Sequence, residues 1–309
     1  QGGMIMGNNG SWYYPRKSLN DLLEEQSVKE KKQENERAVN DFLQELASKL
    51  SHRDVEKIRV HLETLKKALE KEIDGTVELN FGGSVSKHTY AKGLSDIDML
   101  VRINNSLLSN AKPQEVLDVF AKAIKQRLPK TEVKKGDLAV TVKFSSGHEI
   151  QLLPSIKTAT GYKIANPGTN EWSNVIKPRK FAEKLTSVNQ ASGGKIIPMI
   201  KIFKSINAQL PKNSQLSGYH IESLAIDAFK NQSSYPKTYK GLLQYFCEHA
   251  SKAVLHPIKD STGQSIHVDD YLGKSNSLER KRISNSLRIL HKRMSQAASV
   301  EDWRDIIGE

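Results

Sequence analysis

Two aspartates separated by one residue carry the clearest chemical signal in this sequence. Asp96 and Asp98 open a run of apolar residues, and alternate residues of an extended strand project from the same face. Two carboxylates on one face repel each other unless a cation lies between them, and hard oxygen ligands suit Mg²⁺. The spacing therefore predicts a metal site at Asp96 and Asp98, with Mg²⁺ (or Mn²⁺) as the cofactor.

A glycine turn precedes these aspartates. Gly82 and Gly83 allow a backbone path that a Cβ would obstruct, and Ser84 stands where a short helix would begin. Backbone N–H groups at such a turn can bind a phosphate, assisted by the positive end of the helix dipole. Either piece alone is commonly a surface turn or a solvated strand end. Together they predict transfer of a nucleotidyl group from a triphosphate.

This stretch resembles the core motif of the DNA polymerase β-like nucleotidyltransferases. Gly83-Ser84 is followed by Asp96-Ile97-Asp98, and the sequence around these residues is similar to that of the bacterial cGAS/DncV-like nucleotidyltransferases (CD-NTases). The resemblance implies an α/β (α+β) fold with two lobes, in which a mixed-sheet catalytic lobe and a helical lobe enclose a nucleotide cleft. It also implies an enzyme that makes cyclic or short linear oligonucleotide signals in anti-phage defence.

The third acidic position of the resembled family is occupied differently here. In this chain a strand is predicted after a turn at residues 145–147. The corresponding strand of the resembled family carries a metal-binding aspartate, and the matching residue here is Gln151. An amide oxygen can coordinate Mg²⁺ but cannot accept a proton from an attacking hydroxyl. Glu149 lies two residues earlier and faces the same side. Either Glu149 replaces the missing carboxylate, or that carboxylate is lost and catalysis is weak or altered.

Two lysines interrupt an apolar helix that begins near residue 196. Lys201 and Lys204 share a helix face, and an ammonium group there is costly to bury unless it meets an anion. In the resembled enzymes the lysine that matches Lys204 contacts the triphosphate. Lys201 and Lys204 are both candidate nucleotide-binding residues, and the alternative of a surface lysine that extends to solvent weighs more for Lys201.

A second nucleotide-binding segment follows at residues 216–222, which is similar to the family's Ser-Tyr-x-Leu-Glu run. The family serine, a phosphate contact, aligns with Gly218, so Ser217 is a candidate displaced by one position. Tyr219 would stack on a base or pack in the core.

Composition limits the partners. The net charge of +12 at pH 7 favours polyanions, so nucleic acid is a possible partner beside the expected nucleoside triphosphates. A downstream effector would bind through the product. No apolar run reaches the length of a membrane span, so no membrane contact is predicted. The single cysteine, Cys247, excludes an intrachain disulfide, suits a reducing cytoplasm and is predicted to be buried.

The expected organisation has three parts. Residues 1–30 form a tag remnant and an aromatic extension, residues 31–165 form the catalytic lobe with its leading helices, and residues 166–309 form the helical lobe. A segment rich in glycine, proline and asparagine, residues 157–178, is predicted to be a loop between the lobes.

Three functions fit these observations. The first is a signal synthase that joins nucleoside triphosphates, and the second is nucleotide addition to a nucleic-acid or protein acceptor, which the basic charge would also serve. The third is a catalytically degenerate nucleotide sensor, which the amide of Gln151 favours.

Overall fold

A computed structural model describes residues 5–6, 12–13, 18–52, 55–73, 78–94, 96–104, 106–166, 169–231, 234–260 and 267–309 of the chain. Within these ranges the chain forms eight strands and ten α-helices. The predicted tag remnant, residues 1–3, lies outside them.

The strands form one mixed sheet and one short ladder. Their bounds are β1 Ile5–Met6, β2 Trp12–Tyr13, β3 Glu78–Phe81, β4 Ile97–Arg102, β5 Glu132–Lys135, β6 Val140–Lys143, β7 Glu149–Lys157 and β8 Tyr162–Ile164. The main sheet has the order β3-β4-β7-β6-β5, and β8 pairs with the far end of β7. Only the β4–β7 pair is parallel among these described pairs, so the sheet is mixed, as the sequence predicts.

The sheet has one fully buried face because its central strands alternate. Ile97 and Met99 of β4 and Ile150 and Leu152 of β7 are at most 1% exposed and pack in one core with α2 and α4. The residues between them therefore project from the opposite face. Asp98, Glu149 and Gln151 occupy these alternate positions.

The helices account for most of the remaining chain. Their bounds are α1 Leu19–Ser51, α2 Val55–Glu72, α3 Gly83–Ser86, α4 Pro113–Arg127, α5 Pro178–Ala191, α6 Ile196–Gln209, α7 Gly218–Phe229, α8 Tyr239–Ala253, α9 Leu278–Gln296 and α10 Val300–Ile307. Several begin where the sequence supplies a cap. Ser217 accepts a hydrogen bond from the His220 N–H at the start of α7, and Thr238 accepts one from Gly241 at α8.

A second core holds the helical part together around α6. Ile200, Phe203 and Ile206 are at most 1% exposed, as expected for a helix that is apolar on nearly all sides. The C-terminal part of α1 belongs to this core through Val39 and Leu43, although the predicted division assigned residues from 31 onwards to the catalytic lobe. How the chain divides into domains stays a prediction.

Three local findings refine the sequence analysis. The segment predicted as a loop over residues 157–178 contains β8, because β7 extends far enough to pair with it. Cys247 is buried as predicted, and burial raises the pKa of its thiol to about 12. No helix in the described ranges is both long enough and apolar enough to span a bilayer.

Candidate functional site

The cleft between the sheet and the helical part contains most of the predicted site residues. It has a volume of about 410 Å³ and is lined by Gly83, Ser84, Asp96 and Asp98 on the sheet side. Lys204 and Tyr219 line it from the helical side. A hollow of about 460 Å³ between α2 and β3 is larger but mainly apolar. It contains none of the predicted residues, so the polar cleft is the candidate site.

The two aspartates are held at the start of β4. Asp98 lies beside Gln151 in the parallel β4–β7 register, and Gly82 donates a backbone hydrogen bond of 2.8 Å to the Asp98 carbonyl oxygen. The glycine turn and the aspartate strand are therefore joined directly by the backbone. The sequence motif is confirmed as one structural unit.

Gly83 has no room for a side chain. Its φ is +44°, and a Cβ built there would lie 1.5 Å from Oδ2 of Asp98. The glycine is required for two reasons, the left-handed backbone and the close approach of the carboxylate. The backbone of Ser84 forms a hydrogen bond with the same carboxylate.

Burial and neighbouring negative charge raise the pKa of the Asp96 carboxyl to about 6. Burial is the largest cause, followed by the charges of Glu149 and Asp98, while a hydrogen bond from Gln151 opposes the shift. Burial also raises the pKa of Asp98, against the lowering effects of Lys87 and of the Ser84 backbone. A positive ion bound at such a site would stabilise the charged form of both carboxyls.

Gln151 binds the neighbouring aspartate. Its Nε2 donates to Oδ2 of Asp96 at 2.7 Å, so the amide offers a donor where the resembled family has a carboxylate. Glu149 acts on the charge of Asp96 from the same face. In the described part of the chain, however, no three Asp, Glu, His or Cys side chains already form a metal-binding cluster. Whether Glu149 replaces the missing carboxylate stays a prediction.

Lys204 is buried in the cleft and bound to protein groups. Its ammonium donates to the Thr89 carbonyl oxygen and to Oε1 of Glu222, each at 3.0 Å. Lys87 donates to Oε2 of the same carboxylate. Burial would raise the pKa of Glu222, but the two ammonium groups hold it below its usual range.

Lys87 and Glu222 also line the cleft, although the sequence did not single them out. Lys87 stands three residues after Ser84 in the recognised motif, and Glu222 interrupts an apolar helix. These two positions were the signals in the sequence that could have identified the residues. The sequence did not show that Lys87 and Glu222 meet, because their contact joins distant segments of the chain.

The other three candidates have different surroundings. The hydroxyl of Tyr219 donates to Asp260 at 2.7 Å, and its ring lies 4.7 Å from that of Phe181. Ser217 caps α7 beside the cleft. Lys201 donates to Ser51 at the end of α1 and does not line the cleft as the structure describes it. The structure therefore does not bring Lys201 together with the other candidates.

Comparison with known proteins identifies the class of this fold and cleft. Residues 34–189, half of the chain, match the family described as SMODS, the Second Messenger Oligonucleotide or Dinucleotide Synthetase domain. The chain belongs to this family, the bacterial cGAS/DncV-like nucleotidyltransferases, which confirms the resemblance seen in the sequence. A search of curated proteins found no match.

Solved structures share the fold at low sequence identity. CdnC from E. coli MS115-1 with ATP is 17% identical, with a TM-score of 0.68 over 89% of this chain and 98% of that chain. CdnG from Bradyrhizobium diazoefficiens with GTP is 13% identical (TM-score 0.61, 86% and 94%). DncV from Escherichia coli with 3'-deoxy GTP is 11% identical (TM-score 0.60, 94% and 90%). At these identities the comparisons support the fold.

Proposed function

We propose that this protein joins nucleoside triphosphates into a cyclic or short linear oligonucleotide signal and releases pyrophosphate. The observation that carries the proposal is the position of Asp96 and Asp98 beside the Gly83–Ser84 turn, inside a cleft of a chain that belongs to the SMODS family. CdnC and CdnG, which share the fold, were solved with ATP and GTP. These nucleotides support triphosphates as the substrates.

The donor set fits Mg²⁺ or Mn²⁺. Asp96 and Asp98 are carboxylates whose pKa values are raised by burial and, at Asp96, by neighbouring negative charge. Hard oxygen ligands that crowd in this way favour a small divalent cation. Asp96 and Asp98 would hold the ion, which when bound would neutralise charge on the triphosphate and polarise its α-phosphoryl group.

The chain's own groups have separate tasks in this proposal. The Ser84 hydroxyl and neighbouring backbone N–H groups of the turn would bind the outer phosphates, and the Lys204 ammonium offsets negative charge that develops on the leaving pyrophosphate. A ribose hydroxyl attacks the α-phosphorus as the bond to pyrophosphate breaks. Gln151 cannot accept the proton of the attacking hydroxyl. The proton passes to Glu149 if this residue replaces the missing carboxylate; if that carboxylate is lost, the proton passes to solvent and the hydroxyl is less activated.

The biological setting is part of the proposal. The product would be a signal in bacterial anti-phage defence that acts by binding a downstream effector, in keeping with the second-messenger family to which the chain belongs. A cytoplasmic location fits a chain whose single cysteine is a buried free thiol.

A nucleotide sensor without turnover is the second candidate. One observation favours it, because Gln151 binds Asp96 where a third carboxylate would assist catalysis. In such a protein the cleft would bind a triphosphate without joining it to an acceptor.

Incubation with labelled triphosphates and Mg²⁺ or Mn²⁺ separates these functions. We expect a small product. A cyclic product would resist phosphatase and a linear one would lose only its terminal phosphates, and nuclease sensitivity would define the linkage. A ladder or a labelled macromolecule would indicate addition to a polymer or protein acceptor instead. Binding without turnover would support the sensor. The double variant Asp96→Asn, Asp98→Asn is the control, and we expect it to fold and to make no product.

A further inference from the structure

A buried carboxylate connects the two sides of the cleft. Glu222 of α7 is 1% exposed, and each of its oxygens accepts a hydrogen bond from a different ammonium group. Oε2 binds Lys87, which follows α3 on the sheet side, and Oε1 binds Lys204 of α6 on the helical side. Thr89, which is fully buried, donates its hydroxyl to Oε1 as well.

The charges of this cluster do not cancel. One carboxylate faces two ammonium groups, so the cluster of Lys87, Lys204 and Glu222 has a net charge of +1 when all three are ionised. A buried charge is stable only when it is paired and hydrogen-bonded. The carboxylate therefore allows two ammonium groups, which would otherwise repel each other, to remain close together beside Asp98, whose charge state they influence.

The ammonium groups still have unused donors. Each carries three N–H bonds; Lys204 uses two of them, on Thr89 and Glu222, and Lys87 uses one, on Glu222. Among the residues that the structure describes, one donor of Lys204 and two of Lys87 therefore have no acceptor, and both side chains line the cleft that an anion would enter.

Aromatic rings fix the position of Lys87 from the helical side. Its ammonium lies 5.0 Å from the ring centre of Phe181 and 5.1 Å from that of Tyr219, which are distances at which a cation is attracted to a ring face. The backbone of Lys87 thus lies on the sheet side of the cleft, whereas its ammonium group contacts residues of the helical side. Its side chain is only 13% exposed, so it is held in one place before any ligand arrives.

We propose that Glu222 is a positioning residue, which holds the Lys87 and Lys204 ammonium groups as a pair across the cleft so that both can bind the outer phosphates of a nucleoside triphosphate. The inference rests on the proposed function, in that a triphosphate is taken to be the ligand. The inference goes beyond the proposed function by assigning a role to Glu222, a residue that need not touch the substrate.

The test compares two nucleotides in binding titrations with Mg²⁺, a non-hydrolysable ATP analogue and AMP. Glu222→Gln keeps the shape of the side chain and removes its charge. We expect about 10- to 100-fold weaker binding of the triphosphate, the size of a lost charge-assisted contact, with AMP binding unchanged. Glu222→Asp keeps the charge and is expected to lose less. Glu248→Gln is the matched control, because Glu248 pairs with Lys252 on the exposed face of α8.

A double-mutant cycle separates positioning from general damage. Lys87→Met should weaken triphosphate binding in the wild-type background and cost little more in the Glu222→Gln background, because the pair is already disrupted. If Glu222→Gln fails to fold, Lys87→Met alone carries the test, and unchanged triphosphate binding by that variant would overturn the inference.

Two further results would contradict it. Triphosphate binding by Glu222→Gln that equals or exceeds the wild type would mean that the carboxylate only competes with phosphate. Equal losses for AMP and the triphosphate would mean a structural role. The wild-type protein distinguishes this failure from failure of the proposed function. Triphosphate binding without turnover refutes nucleotidyl transfer but leaves the positioning role intact, whereas no triphosphate binding refutes both.

Discussion

Replacement of Gly83 by alanine tests whether the glycine turn positions the aspartates. A Cβ at this residue would lie 1.5 Å from Oδ2 of Asp98, whereas real Cβ contacts are essentially never below 3.0 Å, so the carboxylate would have to retreat by about 1.5 Å (3.0 − 1.5). A displacement of about 1 Å in a reacting group can reduce a rate by about 10²-fold. We therefore expect Gly83→Ala to lose at least about 10²-fold in turnover.

The same substitution has a backbone cost that must be measured separately. Alanine at a positive φ costs about 1–2 kcal/mol, and Gly83 has a φ of +44°. Gly193→Ala is the matched control, because Gly193 has a φ of +67° and nothing within 4 Å of its built Cβ. Pyrophosphate release and urea unfolding would be measured for both variants. Comparable losses of stability with comparable turnover in the two variants would refute the steric argument.

Three further predictions concern the charged groups of the cleft. Lys204→Ala should weaken binding of ATP more than of AMP in titrations, and equal losses would make this lysine purely structural. If Glu149 supplies the missing carboxylate, Glu149→Gln should lower the rate by about 10²–10⁴-fold and Gln151→Asp should change it little; the reverse pattern in a rate assay would show that the carboxylate is absent. Because the pKa of Asp96 is raised to about 6 from 3.8, the folded state binds the proton more tightly, so this group lowers the free energy of unfolding as pH rises from about 4 to 6. The full shift corresponds to about 3 kcal/mol, and the expected change is smaller because Asp96 is partly solvated. In metal-free urea unfolding, the free energy of unfolding of the wild type should therefore fall over this pH range relative to that of Asp96→Asn. Parallel pH profiles of the two proteins would contradict the prediction.

Local signals were sufficient to predict the strand that carries the two aspartates and the glycine turn before it. Two signals determine the structure of only a few neighbouring residues: the glycines at 82 and 83, and the apolar alternation from Ile97. The sequence could therefore locate α3, β4 and the two aspartates. The buried helix α6 was equally clear, since it is apolar on nearly every side. The family resemblance then supplied the combination of a mixed sheet with a helical part, which no single segment specifies.

Contacts between distant segments could not be predicted in the same way. The hydrogen bond from Gln151 to Asp96 depends on β7 lying parallel to β4 in one register. The pairing of Lys87 with Glu222 joins residues 135 positions apart. Lys201 is a further case, because it lies at helical spacing from Lys204 but donates a hydrogen bond to Ser51 at the end of α1. Sequence spacing gives the face of an element, and packing decides what that face meets.

Pyrophosphate release tests the central claim most directly. The wild-type protein would be incubated with a nucleoside triphosphate and Mg²⁺, and pyrophosphate and inorganic phosphate would be measured separately. We predict one pyrophosphate per bond formed, little inorganic phosphate, and no release by the Asp96→Asn, Asp98→Asn variant. This variant should melt at or above the temperature of the metal-free wild type, because burial raises the pKa of both carboxyls. Release of inorganic phosphate in place of pyrophosphate, or undiminished pyrophosphate release by the folded double variant, would contradict the assignment of this cleft to nucleotidyl transfer.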